Sequence, residues 1–389
     1  MESKIKYCAL TTISLNMRNF VMPAMLHLSK NGYEITVGCK EDVTFKKTLP
    51  SDIAFIGLDI ERGFKFKKTI KTIIQLFKFF RTNKIMMVEY GTENVSFCAS
   101  IAAWMAGVPV RIYNHWGARY IGYTGALRMI SLAIERTAVL FSNQVRDCSL
   151  LNMEMCIRDK VYPRRKVRVL GYGGTVGVDF NRFDISKRAE FNSALRKKYD
   201  IGTEDFVFGD VCFVRKDKGS GELLTAFKKI NKKNHNTWLV FVGDIYEEDL
   251  PDKELMGWAY ASDRVIFTGR VPDVEHYVAA FDCMVHPSYR EGLGMVLQEA
   301  GAMGVPSITT NVPGPCEFAE NGKSVLLVKK ADAVDLQKKM EFVIEHPDVL
   351  LSLSKEVYIL VKERFERGVM VERILQDRND LFQKYIAVI

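Results

Sequence analysis

Short apolar runs alternate with longer segments of helical spacing along the whole chain. Tyr7–Thr11, Glu34–Cys39, Ile53–Leu58, Ile85–Glu89, Val110–Asn114, Ala138–Ser142 and Val167–Leu170 read as strands. Between them the pattern predicts helices over Met17–Asn31, stopped at Gly32, and over Lys67–Thr82. Further helices are expected over Ser96–Ala106, stopped by Gly107 and Pro109, and around Leu127–Thr137. The second half opens with a helical segment, Ser186–Tyr199. It then repeats the alternation with strands Phe206–Val211, Trp238–Val242, Val265–Thr268, Cys283–His286, Ser307–Thr310 and Val325–Val328. A strand–helix rhythm of this kind implies parallel, doubly wound sheets.

At 389 residues the chain exceeds one ordinary core, so two domains are expected. The boundary is best placed where Gly171, Gly173, Gly174 and Gly177 crowd into a few residues, a poor helix or strand and a good hinge. This gives a first domain over 1–170, a hinge over 171–185 and a second domain over 186–371. The last forty or so residues are helical and charged, with a break at Pro347. A terminal helix is expected over 372–389.

Composition changes the picture little. Eight dispersed cysteines without a C-x-x-C pair suit reduced, buried thiols in a cytoplasmic protein better than disulfides or structural zinc. No apolar run reaches the eighteen or so residues of a spanning helix, and the N-terminal one is too short for a signal peptide. The expectation is a soluble or peripheral protein.

Charge changes it more. The net charge is +8, and from Arg62 to Lys84 there are eight basic residues and no acid. Ile70, Ile73, Ile74, Phe77 and Phe80 recur among them at helical spacing. One reading lays this helix on anionic lipid through Lys67, Lys68 and Lys71. The other packs its apolar face on its own sheet and leaves the lysines in water; the two are compatible. No nucleic-acid motif accompanies the patch. The second basic cluster, Arg158–Arg168, reads as a solvated edge.

The most specific chemistry lies between Cys283 and Pro306: a short strand, a loop holding Glu291, Gly292, Leu293 and Gly294, then a helix carrying Glu299. Glycines let the backbone approach a ligand, and a helix start directs N–H groups and a positive dipole end at an anion. If the helix starts within Gly292–Gly294, Glu291 lies at its mouth and Glu299 about two turns in, roughly on the same side. An anion cradle between two hydroxyl-binding carboxylates suits a phosphorylated sugar.

Together with Pro287-Ser-Tyr-Arg-Glu-Gly-Leu-Gly294 and Glu299-Ala-Gly-Ala-Met-Gly-Val-Pro306, this stretch resembles the E-x7-E motif of the retaining, nucleotide-sugar-dependent glycosyltransferases of family 4. The resemblance is dense from Leu170 to Val328 and thin before it. It implies the GT-B fold, two Rossmann-like doubly wound domains facing a cleft, with a terminal helix crossing back to the first. It implies that Glu299 binds ribose hydroxyls and that Glu291 contacts the donor sugar. Lys218-Gly219 matches the end of the family's "G-R-L-x-x-x-K-G" diphosphate loop, but Phe213 stands where its arginine should be. Arg215, two residues away, is the candidate replacement. Thr268-Gly-Arg-Val-Pro-Asp273 resembles the turn near the nucleotide base, where Val271 touches the base and Arg270 faces solvent.

Asn311–Glu317 places Gly314 near the sugar pocket, or is a plain structural turn. Tyr113–Gly117 resembles the family's "HG" segment, making His115 a candidate donor-sugar contact; the bland alternative is a satisfied structural histidine. The family's glycine pair after the first strand is replaced by Ile13-Ser14-Leu15, leaving Ser14 and Arg18 to substitute. The implied enzyme moves a sugar from a nucleotide diphosphate, UDP first and GDP second, to a polysaccharide or lipid-linked acceptor at the inner face of a membrane. No D-x-D aspartates are present, so no metal or other cofactor is expected. The competing readings are a related phosphorylase or epimerase and an inert sugar- or nucleotide-binding protein, which the Phe213 departure favours. Turnover of a nucleotide sugar separates them.

Overall fold

The computed structural model describes residues 4–60 and 65–386. The chain divides into two compact units, 1–176 with 367–389, and 177–366.

The first unit holds a seven-stranded parallel sheet. Its strands are β1 (Ile5–Leu10), β2 (Tyr33–Lys40), β3 (Ile53–Leu58), β4 (Met87–Gly91), β5 (Val110–His115), β6 (Gln144–Asp147) and β7 (Val167–Val169). Their order is β3-β2-β1-β4-β5-β6-β7. The second unit holds β8 (Phe206–Val211), β9 (Thr237–Val242), β10 (Val265–Phe267), β11 (Cys283–His286), β12 (Ser307–Thr310) and β13 (Val325–Val328). These run β10-β9-β8-β11-β12-β13, again all parallel. Each order reverses direction once, between β1 and β4 and between β8 and β11. Open parallel sheets bind ligands beyond the carboxyl ends of such strands.

The sequence explains most elements directly. β9, Thr-Trp-Leu-Val-Phe-Val, is buried at every position, the run expected of a strand covered on both faces. Helix Ser220–Lys233 turns Leu223, Leu224, Phe227 and Ile230 inward at helical spacing. In the basic helix Phe66–Asn83, Thr72, Leu76 and Phe80 are buried, while Ile70 and Ile74 stay exposed. Arg62, in the same basic run, lies outside the described residues.

Three expectations need correction. Met17–Asn31 is two helices, Ser14–Phe20 and Met22–Ser29, because Pro23 lacks an N–H and fits only in a first turn. Ala138–Phe141 is not a strand but the last turn of helix Gly125–Phe141. The strand follows it as β6, Gln-Val-Arg-Asp, buried throughout despite three polar residues in four. The terminal helix spans Arg367–Tyr385, five residues earlier than the sequence suggests, and belongs with the first unit.

That helix explains β6. The Arg146 guanidinium donates to both oxygens of Asp377 at 2.7 to 3.1 Å. Arg378, also paired with Asp377, donates to Glu89 at 2.6 Å and to the Tyr7 hydroxyl at 2.9 Å. Gln144 donates to Tyr385 at 2.9 Å. Removing one member of such a buried set strands its partner's charge, at a cost of about 3–5 kcal/mol. Among the described residues, no helix is long and apolar enough to cross a membrane.

Candidate active site

At the reversal point of the second sheet, β8 leads into Cys212–Gly219 and β11 into Pro287–Gly294. The two loops touch. Gly219 has φ +73, and a Cβ there would sit 2.2 Å from the Pro287 carbonyl oxygen. Gly314, at φ +95, would likewise place a Cβ 2.1 Å from the Gly292 oxygen. Only glycine meets both demands at these two places. Gly314 is thereby brought against the glutamate-bearing loop.

The contact brings Lys218 onto Glu291 as a close ion pair through Oε1. The same oxygen lies 3.0 Å from Nε2 of His286, the last residue of β11. Nδ1 of that ring lies 2.8 Å from Oδ1 of Asp210 in β8, and the Cys212 thiol donates to Oδ2 at 3.0 Å. His286 and Asp210 are buried, whereas Lys218 and Glu291 retain 19% and 18% side-chain exposure. The chain of charges therefore runs from the sheet interior to a surface that a ligand can reach.

Burial opposes every charge in this set, and the neighbours overrule it. The His286 imidazole, disfavoured by burial but flanked by Asp210 and Glu291, is raised to about 9. Burial raises the Glu291 carboxyl, but Lys218 and His286 bring it well below the usual carboxylate range. Lys218, lowered by burial and raised by Glu291, ends above its ordinary value. At neutral pH the set carries alternating charges.

Beyond Glu291, helix Met295–Ala302 starts with Gly294 as its N-cap. Leu293 is buried in the same loop. Glu299 lies four residues past the first helical residue, so it is about one turn in rather than two. Arg215 donates to Asp217 at 2.6 Å, and Arg290 donates to the same carboxylate at 2.8 Å. Phe213 is 38% exposed, with the Arg270 guanidinium 6.0 Å from its ring centroid. Arg270 is also held by Asp244 at 2.6 Å, and Val271 beside it is half-buried.

His286 and Asp210 were not singled out by the sequence. The available signal was one polar residue in each of two apolar strands, Cys-Met-Val-His and Phe-Val-Phe-Gly-Asp-Val. Only the pairing of β8 with β11 shows that they meet.

The first unit places its candidates differently. His115 ends β5 and is 1% exposed, its Nδ1 2.7 Å from Asp147 and its Nε2 3.5 Å from Glu135. Burial disfavours its charge, but Cys156, Asp147 and Glu135 raise it well above the ordinary histidine value. The ring is buried within its unit, where the sequence expected either a sugar contact or a structural histidine. Ligand atoms of His115, Asp147 and Cys156 lie within 4.8 Å of one another, near enough to hold an ion. Asp147 is already engaged by the His115 ring and by the Tyr162 hydroxyl, while Nε2 of His115 and Oε2 of Glu135 make no hydrogen bond.

Ser14 donates to Asp42 at 2.5 Å, and Arg18 lies 4.8 Å from the Phe45 ring centroid. Lys68 and Lys71 each pair with Asp59 at 3.3 Å, while Lys67 is exposed.

Comparison with known proteins matches a separate family model within each unit. Residues 9–145 match the family model "Glycosyl transferase 4-like" and residues 191–358 match "Glycosyl transferases group 1". The capsular polysaccharide biosynthesis glycosyltransferase CapM of Staphylococcus aureus is 26% identical over 329 residues, 84% of this chain and 85% of its own. The UDP-Gal:alpha-D-GlcNAc-diphosphoundecaprenol alpha-1,3-galactosyltransferase of Escherichia coli is 24% identical over 317 residues, 78% of each chain. Among solved structures, Anabaena HepE in complex with UDP superposes with a TM-score of 0.76 at 18% identity, over 97% of this chain and 100% of that one. The two parallel-sheet units, the glycine loops of the second and the paired family models establish that this chain belongs to the family 4-type glycosyltransferases of the GT-B fold.

Proposed function

We propose that the protein transfers a sugar from a UDP-sugar to a polysaccharide or lipid-linked oligosaccharide acceptor, with retention of anomeric configuration and without a metal. The observation that carries this reading is the Lys218–Glu291 pair beside the N-terminus of helix Met295–Ala302. Glycosyl transfer builds negative charge on the departing diphosphate and positive charge on the sugar carbon. Lys218 and the amides of Gly292–Gly294 are suited to the first, and fixed donors act best where charge develops. Glu291 is suited to the sugar and Glu299 to the ribose. The UDP preference draws support from the UDP-Gal donor named for the Escherichia coli relative and from the UDP bound to HepE. The acceptor draws support from the capsular and diphosphoundecaprenol descriptions of the relatives.

The test is thermal stabilisation by UDP and GDP with EDTA present. A ligand at a hundred times its dissociation constant stabilises the fold by about 2.7 kcal/mol. UDP-selective stabilisation that is lost in Glu299→Ala is expected. Preference for GDP overturns the donor assignment, and silence with both revives an inert protein. Retention is read from the anomeric NMR signal of the product.

A lipid-linked acceptor calls for contact with a membrane face. Exposed Phe66, Ile70 and Ile74 on the basic helix, with Lys67 beside them, supply apolar and cationic contacts for it. Binding to anionic vesicles at low salt is expected, weakened by Lys67→Glu with Lys71→Glu. Indifference to such vesicles removes this part of the proposal.

A further inference from the structure

We infer that His286, fixed by Asp210, is the permanent counter-ion of Glu291, holding that carboxylate in place while Lys218 turns toward the diphosphate of the ligand. The inference rests on the donor-site reading given above and adds two positioning residues to it.

Two cations meet one oxygen, Oε1 of Glu291. They differ in how they are held. Lys218 sits in a loop, on a flexible four-carbon stem whose ammonium can reorient. His286 ends a buried strand, its carbonyl oxygen accepts from Thr309 at 2.8 Å, and its ring is locked by Asp210 from the adjoining strand. A site carried on strands keeps its geometry better than one carried on loops.

The protonation state follows from the partners. Each ring nitrogen faces a carboxylate oxygen, at 2.8 and 3.0 Å. A neutral imidazole has one N–H and leaves its other nitrogen against a lone pair; only the imidazolium satisfies both acceptors. Asp210 of β8 and Glu291 of the loop after β11 face this ring; behind them Cys212 donates to Asp210 and Lys218 pairs with Glu291. The neighbouring strand β12 contributes Ser307 and Thr309 and no charge.

Without His286, a ligand diphosphate that attracts Lys218 takes away the counter-charge of Glu291. The carboxylate then either follows the lysine or takes up a proton. With His286 in place, the ligand recruits one cation and the other stays. The sugar-facing carboxylate thus keeps its charge and position through donor binding.

Full-length protein with 15N-labelled histidine tests this, with UDP as the probe. His286 should show the doubly protonated ring at pH 7.5 with and without UDP, its signal identified by loss in His286→Gln. Asp210→Asn, which preserves shape, should return the ring to the neutral form near neutral pH. A neutral His286 ring in the wild type overturns the inference, whether or not the protein turns over any sugar. Binding supplies the second arm. His286→Leu should leave the dissociation constant for UDP within about threefold and lower kcat about 100-fold, the scale of a small misplacement of a reacting group. His286→Gln, which can still donate to Glu291, should recover about tenfold of that loss. Lys218→Met should instead weaken UDP itself. Equal loss of UDP affinity in His286→Leu and Lys218→Met overturns the inference. If the wild type binds no UDP, the donor-site reading fails separately, and the ring signal still decides the counter-ion.

Discussion

His115 and His286 are near copies of one local arrangement. Each is the last residue of a buried parallel strand, with Nδ1 on an aspartate and Nε2 toward a glutamate. They differ in what lies beyond the glutamate. Glu291 continues to Lys218, in a loop at the point where the strand order of its sheet reverses. Glu135 is buried in helix Gly125–Phe141, 3.5 Å from the His115 ring at the end of β5. One histidine thus sits behind a partly exposed ion pair, while the other faces a buried glutamate in a core. A histidine at a strand end says little about function until the outermost partner is known.

The sharpest break in the comparison is at the glutamates. Glu291→Gln keeps the shape but removes the charge that Lys218 and His286 share. The turnover number should fall about 100- to 1,000-fold, the scale for losing one preorganised electrostatic group. Glu135→Gln should leave turnover per folded molecule unchanged. Initial rates with a UDP-sugar, normalised to folded protein by circular dichroism, check both. Comparable rate losses in the two variants would falsify the distinction drawn here.

Next in size is the stability carried by the closed cluster. His115→Leu leaves Asp147 and Glu135 buried without their imidazolium, and should cost about 3–5 kcal/mol. Urea unfolding measures this, with the midpoint shifting and the slope unchanged. A large loss of turnover at unaltered stability would instead make His115 a sugar contact.

Local pattern made the glycine loops and most strands legible. β3, β8, β11, β12 and β13 lie where the sequence pattern places them, and of these β3 and β13 are apolar along their whole length. β6 was misplaced for the opposite reason. Its polar side chains are paid for by Asp377 and Tyr385, more than two hundred residues away, and a local window sees only an apolar Ala-Val-Leu-Phe run beside it. Likewise Glu291, Glu299 and Lys218 could be read from motif spacing. Their supports could not, since Asp210 and His286 are 76 residues apart and meet only through sheet order. The burial of His115 was equally hidden, because Asp147 and Glu135 close on it from a later strand and a later helix.

The finest comparison uses alkaline pH. The folded His286 ring is raised to about 9 by Asp210 and Glu291, against about 6.5 in an unfolded chain. The folded state therefore binds the extra proton more tightly. The stability this contributes is fully present below about pH 6.5 and is lost as pH rises through about 9, a change on the order of 3 kcal/mol. Glu291 works the other way: its depressed carboxyl contributes above its unfolded value near 4.3 and loses that contribution only as pH falls. Between pH 7 and 9.5 the urea midpoint should therefore drop in the wild type. His115, also raised, contributes to the same slope. Asp210→Asn should remove the His286 share and leave that of His115; Asp147→Asn should do the reverse. If Asp210→Asn left the alkaline slope unaltered, the His286 ring would carry no excess proton, and the likeness between the two histidines would end at their geometry.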